Sequence, residues 1–249
     1  MLKSKIIQLT PNPQGFGEVP DELEVNMFAS KLPIQHRHDD FADEDLGLYV
    51  GVWDTTDMVE VPGPYPCHEF MTVIEGAIEI KNNVTGKLET VIAGQSFVIP
   101  KDYDCQWQQK GYLRKFYVIY EPEDEKPSAE KPSGIIIISE DTLSSGIENK
   151  AIAWQATSDG HRKKILFSNE NATFVSGVWD TKGLETGVIE FPYNEFFTIK
   201  TGSIFCTEVV GDNTIEHEFE SGASVFIPKG TACSWEIPAQ TTLHFVQIK

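Results

Sequence analysis

The sequence predicts an all-β protein in which one antiparallel sandwich or barrel plan is written twice. Three observations carry that expectation. Short alternating apolar runs are punctuated by turn residues, no stretch shows an apolar stripe over three helical turns, and a set of landmarks recurs in order between the two halves of the 249-residue chain.

The strands of the first half follow from alternation and punctuation. Met71 to Ile74, Ile78 to Lys81, Leu88 to Ile92, Gln95 to Ile99 and Leu113 to Tyr120 are expected to be extended. Between them stand Glu75-Gly76, Asn82-Asn83-Val84-Thr85-Gly86, Ala93-Gly94 and Pro100-Lys101-Asp102, which are turn chemistry. Pro100 and its counterpart Pro228 fall where a strand ends, a place that tolerates a residue without an N–H.

The repeat is specific. Gly51-Val52-Trp53-Asp54-Thr55 returns as Gly177-Val178-Trp179-Asp180-Thr181, Glu69-Phe70 as Glu195-Phe196 and Gly76 as Gly202, all at an offset of 126. At an offset of 128, Gly94, Pro100-Lys101 and Cys105-x-Trp107 return as Gly222, Pro228-Lys229 and Cys233-x-Trp235. The expected division is an amino-terminal arm and first barrel over 1–121, a Pro-rich acidic linker over 122–134, and a second barrel over 135–249, with the motifs at 51–119 and 177–248. The arm is expected to pack across the barrels.

Composition excludes several function classes. With 20 Lys+Arg against 38 Asp+Glu the formal net charge is −18, which disfavours a nucleic-acid partner. Apolar runs are short, the four isoleucines Ile135 to Ile138 among them, and fall far below the length of a membrane span. The start of the chain lacks a signal-peptide pattern, so a cytoplasmic location is expected. Four cysteines, Cys67, Cys105, Cys206 and Cys233, are too few and too scattered for a disulfide scaffold. Acidic runs such as Asp39-Asp40 and Asp43-Glu44-Asp45 read as solvated surface, as does His36-Arg37-His38.

The motifs resemble those of the cupins, and specifically two-barrel cupins similar to (S)-ureidoglycine aminohydrolases and ethanolamine-utilisation cupins. The first motif ends in Glu, six residues, Gly, as at Glu69 to Gly76 and Glu195 to Gly202. The second runs Gly, five residues, Pro, x, Gly, and is complete from Gly222 to Gly230; in the first half Asp102 replaces the turn glycine. The resemblance implies a bicupin of two antiparallel jelly-roll barrels. It also implies a metal site made from two histidines upstream of the motif Glu, that Glu, and a third histidine.

Here the histidine places hold other residues. Before Glu69 they fall on Tyr65 and Gly63, or Pro64 and Pro62; before Glu195 they fall on Phe191 and Ile189, or Glu190 and Val188. The third is Cys105 or Cys233. Strand alternation puts Tyr65, Cys67, Glu69 and Met71 on one face, Phe191, Tyr193, Glu195 and Phe197 on the corresponding face of the second half, and His68 and Asn194 on the opposite face.

The first-barrel candidate ligand pocket is therefore Tyr65, Cys67, Glu69, Cys105 and Trp107, with Tyr193, Glu195, Cys233 and Trp235 as a poorer second-barrel counterpart. Catalytic residues are not assigned. Glu69, Cys105 and Cys67 are the candidate ligands for a divalent ion such as zinc or manganese. The competing structural reading has Glu69 and Glu195 satisfying backbone or Trp N–H groups, with Trp53 and Trp179 as core and Lys101 and Lys229 as turn residues. The expected function is binding of a small polar metabolite in the first barrel at a degenerate metal site. The alternative implied by the resemblance is a manganese-type aminohydrolase. A monomer or homodimer suits either.

Overall fold

The computed structural model describes residues 3–123, 125, 131–139, 155–156 and 161–249. They fall into two compact units, one centred on residues 10–137 and the other on residues 3–9 with 161–249.

The first unit has two sheets. The larger runs, in spatial order, Ile136–Ile138, Ser96–Ile99, His68–Glu75, Leu113–Tyr120, Leu48–Thr55 and Gln35–Asp43; the smaller runs Met58–Val59, Asp104–Gln109, Ala77–Asn82 and Leu88–Ile92, with Gly63–Pro64 beside Asp104–Gln109. The long strands pair antiparallel. Met71, Val73, Phe97, Ile99, Leu113 and Tyr117 of the large sheet meet Ile78, Ile80, Val91, Cys105 and Trp107 of the small one in a single core. This is the two-sheet barrel that alternation predicts. All five expected strands are present within a few residues of their expected ends.

The second unit repeats the plan. Its large sheet runs Ile7–Gln8, Ser224–Ile227, Asn194–Thr201, Thr241–Ile248, Phe174–Thr181, Arg162–Ser168 and Gln155–Ala156, and its small sheet Leu184–Glu185, Ala232–Ile237, Ser203–Val210 and Asn213–Glu220, with Ile189–Glu190 beside Ala232–Ile237. The large sheets are buried on both faces: Val50, Val52, Phe70, Val98 and Val118, pointing away from the barrel interior, are 0% exposed. Strands covered on both sides read as continuous apolar runs, and Leu48 to Val52 does so.

The repeated Gly-Val-Trp-Asp-Thr owes its spelling to local geometry. The pairing partner bulges beside each glycine, between Asp39 and Phe41 in one barrel and between Ile165 and Phe167 in the other. A Cβ at Gly51 would lie 1.9 Å from the His38 carbonyl oxygen and one at Gly177 2.0 Å from that of Lys164, so only glycine fits. Each aspartate faces a basic side chain on the neighbouring strand, the His36 imidazole for Asp54 at 2.7 Å and the Arg162 guanidinium for Asp180. His36-Arg37-His38 is thus part of a strand rather than a loose polar stretch, and Arg37 lies over the rings of Tyr49 and Tyr117 at 5.2 and 5.4 Å.

The amino terminus departs from expectation. Residues 3–9 pack with the second barrel rather than with the first: Ile7 and Gln8 pair with Phe226 and Val225, Ile6 enters the core, and Glu208 accepts from Ser4 Oγ at 2.5 Å and the Lys5 N–H at 2.8 Å. The equivalent edge of the first barrel is taken by residues 133–138. Asn82, which occupies the place of Glu208, donates to the Ser133 carbonyl at 2.9 Å, and the Ile135 N–H reaches Glu89 at 3.2 Å. The expected linker 122–134 therefore includes residues fixed to the first barrel; 124 and 126–130 lie outside the described residues. No helix among the described residues is long and apolar enough to cross a membrane.

Candidate functional site

Glu69 sits in the strand His68–Glu75 between Ile99 and Ile119 of its neighbours, and odd-numbered residues of this strand face the barrel interior. It is 3% exposed. A carboxylate there requires a partner, and the partner is Lys115, from the strand Leu113–Tyr120. Lys115 pairs with Val73 and Trp53, so its stem must run along the sheet past Met71 to reach Glu69. Its Nζ lies 2.5 Å from Glu69 Oε1 and 3.0 Å from Met71 Sδ. The indole centroids of Trp53 and Trp107 lie 4.8 and 4.9 Å from the ammonium, and the two rings meet edge to face at 5.9 Å. Tyr65 OH donates to Glu69 Oε2. Both carboxylate oxygens therefore have a donor.

The remaining groups of this interior are shifted toward their neutral forms. Burial, then Glu69, pushes the Tyr65 phenol and the Cys67 thiol well above their usual ranges. Burial, then Glu60, pushes Cys105 up to about 12. Burial raises the Glu60 carboxyl to about 7, with Lys115 opposing and Glu69 adding to the rise.

Of the five expected first-barrel residues, Tyr65 and Glu69 are in direct contact and Trp107 faces the same ammonium. Cys67 and Cys105 are buried free thiols. Lys115, Trp53 and Glu60 are the members the sequence reading did not assign. A signal for Lys115 does exist: at the 128-residue offset its counterpart is Leu243, and both stand opposite the repeated Trp. A lysine in one copy against a leucine in the other marks an inward charge.

In the second barrel, Glu195 has no such cation at contact distance among the described residues. Gln247 donates to its Oε2 at 2.8 Å, and burial raises its carboxyl, opposed by Lys163 and Gln247. Cys233 accepts from Trp235 Nε1 at 3.2 Å, and hydrogen bonding from Cys206 draws the Cys233 thiol down against burial. Tyr193 instead carries Lys249 over its ring at 5.5 Å. Phe191 stacks on Trp235 at 5.6 Å, so aromatic rings occupy the space around Cys233.

The structural reading of the two glutamates needs amending. Among the described residues neither accepts from a Trp N–H: Trp107 donates to Gln109 at 3.4 Å and Trp235 to Cys233. His68 points away from the interior, as expected, yet it is buried: its Nδ1 accepts from the Lys101 N–H at 3.1 Å and its Nε2 lies 3.0 Å from Glu125. Asn194 accepts from the Lys229 N–H at 3.0 Å in the same way, so this pair of positions ties the motif turn to its strand. Asp102 adopts the left-handed conformation, φ 66°, that glycine supplies at Gly230, φ 76°.

Residues 44–117 match the EutQ-like cupin domain. The fold is that of the cupins. No curated protein matches the sequence. Among solved structures, a protein of unknown function of the DUF861 family from Pseudomonas syringae pv. tomato is 17% identical with a TM-score of 0.70, covering 97% of this chain and 98% of its own. The putative glyoxylate induced protein of Pseudomonas aeruginosa is 10% identical with a TM-score of 0.60, covering 100% and 90%. Streptomyces albus HEPD, with 2-hydroxyethylphosphonate and Fe(II) bound, is 8% identical with a TM-score of 0.51, covering 86% and 70%. At these identities the likeness is one of fold.

The metal that the resemblance to cupins implies does not fit the residues of this barrel interior. Lys115 and Tyr65 occupy both oxygens of Glu69, Cys67 and Cys105 are held as thiols, and no described group of three or more His, Cys, Asp and Glu side chains converges on a point that suits an ion. The positive charge beside Glu69 is an ammonium from the chain itself.

Proposed function

We propose that this protein binds a small polar metabolite in its first barrel without a metal, using the Lys115–Glu69 pair as the charged centre of the site. The observation that carries this reading is the Lys115 ammonium on Glu69, 2.5 Å from Oε1 and flanked by Trp53 and Trp107. A buried ion pair is a costly way to fill a core, since well-packed apolar side chains serve stability as well or better. The second barrel has Leu243 at the same place, so the fold does not require the lysine. Trp53 and Tyr65 are only partly buried, and they form the side of the interior from which a ligand enters. The aminohydrolase implied by sequence resemblance needs a manganese-type ion at Glu69, where the lysine stands.

The test is ligand binding in paired variants, with hits from a thermal-shift screen of polar metabolites. Glu69→Gln is expected to weaken binding at least about tenfold, the size of one lost charge-assisted contact, while Glu195→Gln leaves it unchanged. Equal effects of the two substitutions would refute the choice of barrel.

A further inference from the structure

The first-barrel interior contains more carboxyl than ammonium. Glu60 follows buried Met58 by two residues, which turns its side chain toward the same interior, and the short segment is held by the Glu60 N–H on the Trp107 carbonyl at 3.0 Å and by Gln106 Nε2 on the Glu60 carbonyl at 2.9 Å. The titratable groups that act on Glu60 are Lys115 and Glu69, and it acts in turn on Tyr65 and Cys105. Tyr65 and Cys105 are neutral, and Lys115 cancels Glu69. Among the described residues the uncompensated charge of the interior is therefore that of Glu60, and a low-dielectric site favours neutrality.

We infer that the first barrel takes a small organic cation, a ligand with an ammonium or guanidinium group, seated on Glu60 beside Trp53 and Tyr65. The inference rests on reading this barrel as a ligand site and names the chemical class of the ligand. Its geometric support is threefold. Glu60, Trp53 and Tyr65 are the partly exposed members of the cluster, so the uncompensated carboxyl lies on the open side. The same indole walls already hold one ammonium, that of Lys115, at cation–π distance. An anionic ligand would find Lys115 already paired at 2.5 Å and would face two carboxyls.

Proton release is the consequence. Without ligand, Glu60 titrates near 7; a bound cation favours its ionised form, so binding at lower pH expels a proton. Affinity for the cation falls by a factor approaching ten per pH unit below that point and is flat above it. Between pH 7.5 and pH 5.5 the expected loss is roughly 25-fold.

The experiment titrates the full chain with methylammonium, acetate or Mn²⁺ at both pH values and follows the indole N–H resonances of Trp53 and Trp107 by NMR. Methylammonium is expected to shift both resonances with the stated loss of affinity at pH 5.5, and Glu60→Gln is expected to abolish both the tight binding and its pH dependence. The wild-type pH profile decides the matter even if that variant folds poorly. Acetate in place of methylammonium, preferential binding of Mn²⁺, or a flat methylammonium profile each overturns the cation assignment. A metabolite whose binding needs Glu69 but shows no proton release leaves the ligand site standing and removes only its cationic class.

Discussion

Replacing Lys115 by leucine, the residue at the equivalent place in the second barrel, removes the ammonium and leaves Glu69 buried. The side chains of Lys115 and Glu69 are 6% and 5% exposed, so solvent cannot compensate, and among the described residues Tyr65 remains as the one donor to the carboxylate. Breaking one side of a buried pair costs about 3–5 kcal/mol. For a barrel of this size that lowers the unfolding midpoint of the first unit by roughly 10–20 °C. Pairing the change with Glu69→Gln removes the stranded charge, and the double variant is expected to recover more than half of the loss. The assay is urea unfolding with hydrogen exchange resolved by barrel, so that the second unit serves as an internal control. A single-variant cost below about 1 kcal/mol, or a double variant no better than the single, would refute the view that the pair is the electrostatic centre of this core.

Burial, then Lys200, lowers the His244 imidazole to about 3, and its Nδ1 has no partner among the described residues. Its folded pKa lies below the unfolded value, so the unfolded chain binds the proton first and stability is lost as pH falls from about 6.5 toward 3. His244→Phe, which copies Phe116 of the first barrel, is expected to remove about 2 kcal/mol of this acid destabilisation at pH 5, measured as the difference between urea midpoints at pH 7 and pH 5. Glu208→Ala strands the Ser4, Lys5 and His217 donors and is expected to cost about 3 kcal/mol in the second barrel while freeing residues 3–9 to hydrogen exchange; protection unchanged at Ile6 and Ile7 would count against the edge-strand role.

Much of the fold was legible because alternation and turn residues report directly on strand pairing. Met71 to Ile74 and Leu113 to Tyr120 are extended, and the double spelling of Gly-Val-Trp-Asp-Thr marks a bulge that excludes any side chain at Gly51 and Gly177. The inward turn of Glu69 was legible by parity from its motif. Lys115 was not, because Leu113-Arg114-Lys115-Phe116 read alone gives no reason to choose which of two adjacent cations faces inward; the leucine in the second copy makes that choice. Glu60 gives no sequence signal, since its orientation depends on a two-residue strand fixed by main-chain bonds to Trp107 and by the Gln106 side chain. The edge strands were missed for another reason. Lys3-Ser4-Lys5-Ile6-Ile7 and Lys131-Pro132-Ser133-Gly134-Ile135-Ile136 are similar and do equivalent work, yet one reads as an arm and the other as a linker when each is taken with its neighbours in sequence.

The central claim is that a lysine ammonium stands where the resemblance to metal-binding cupins implies an ion. Metal content of protein purified without a chelating tag, measured alongside metabolite binding before and after dialysis against a chelator, tests it most directly. The account predicts substoichiometric metal and binding that survives the chelator. About one tightly held metal per chain, lost together with binding on Glu69→Ala, would contradict it.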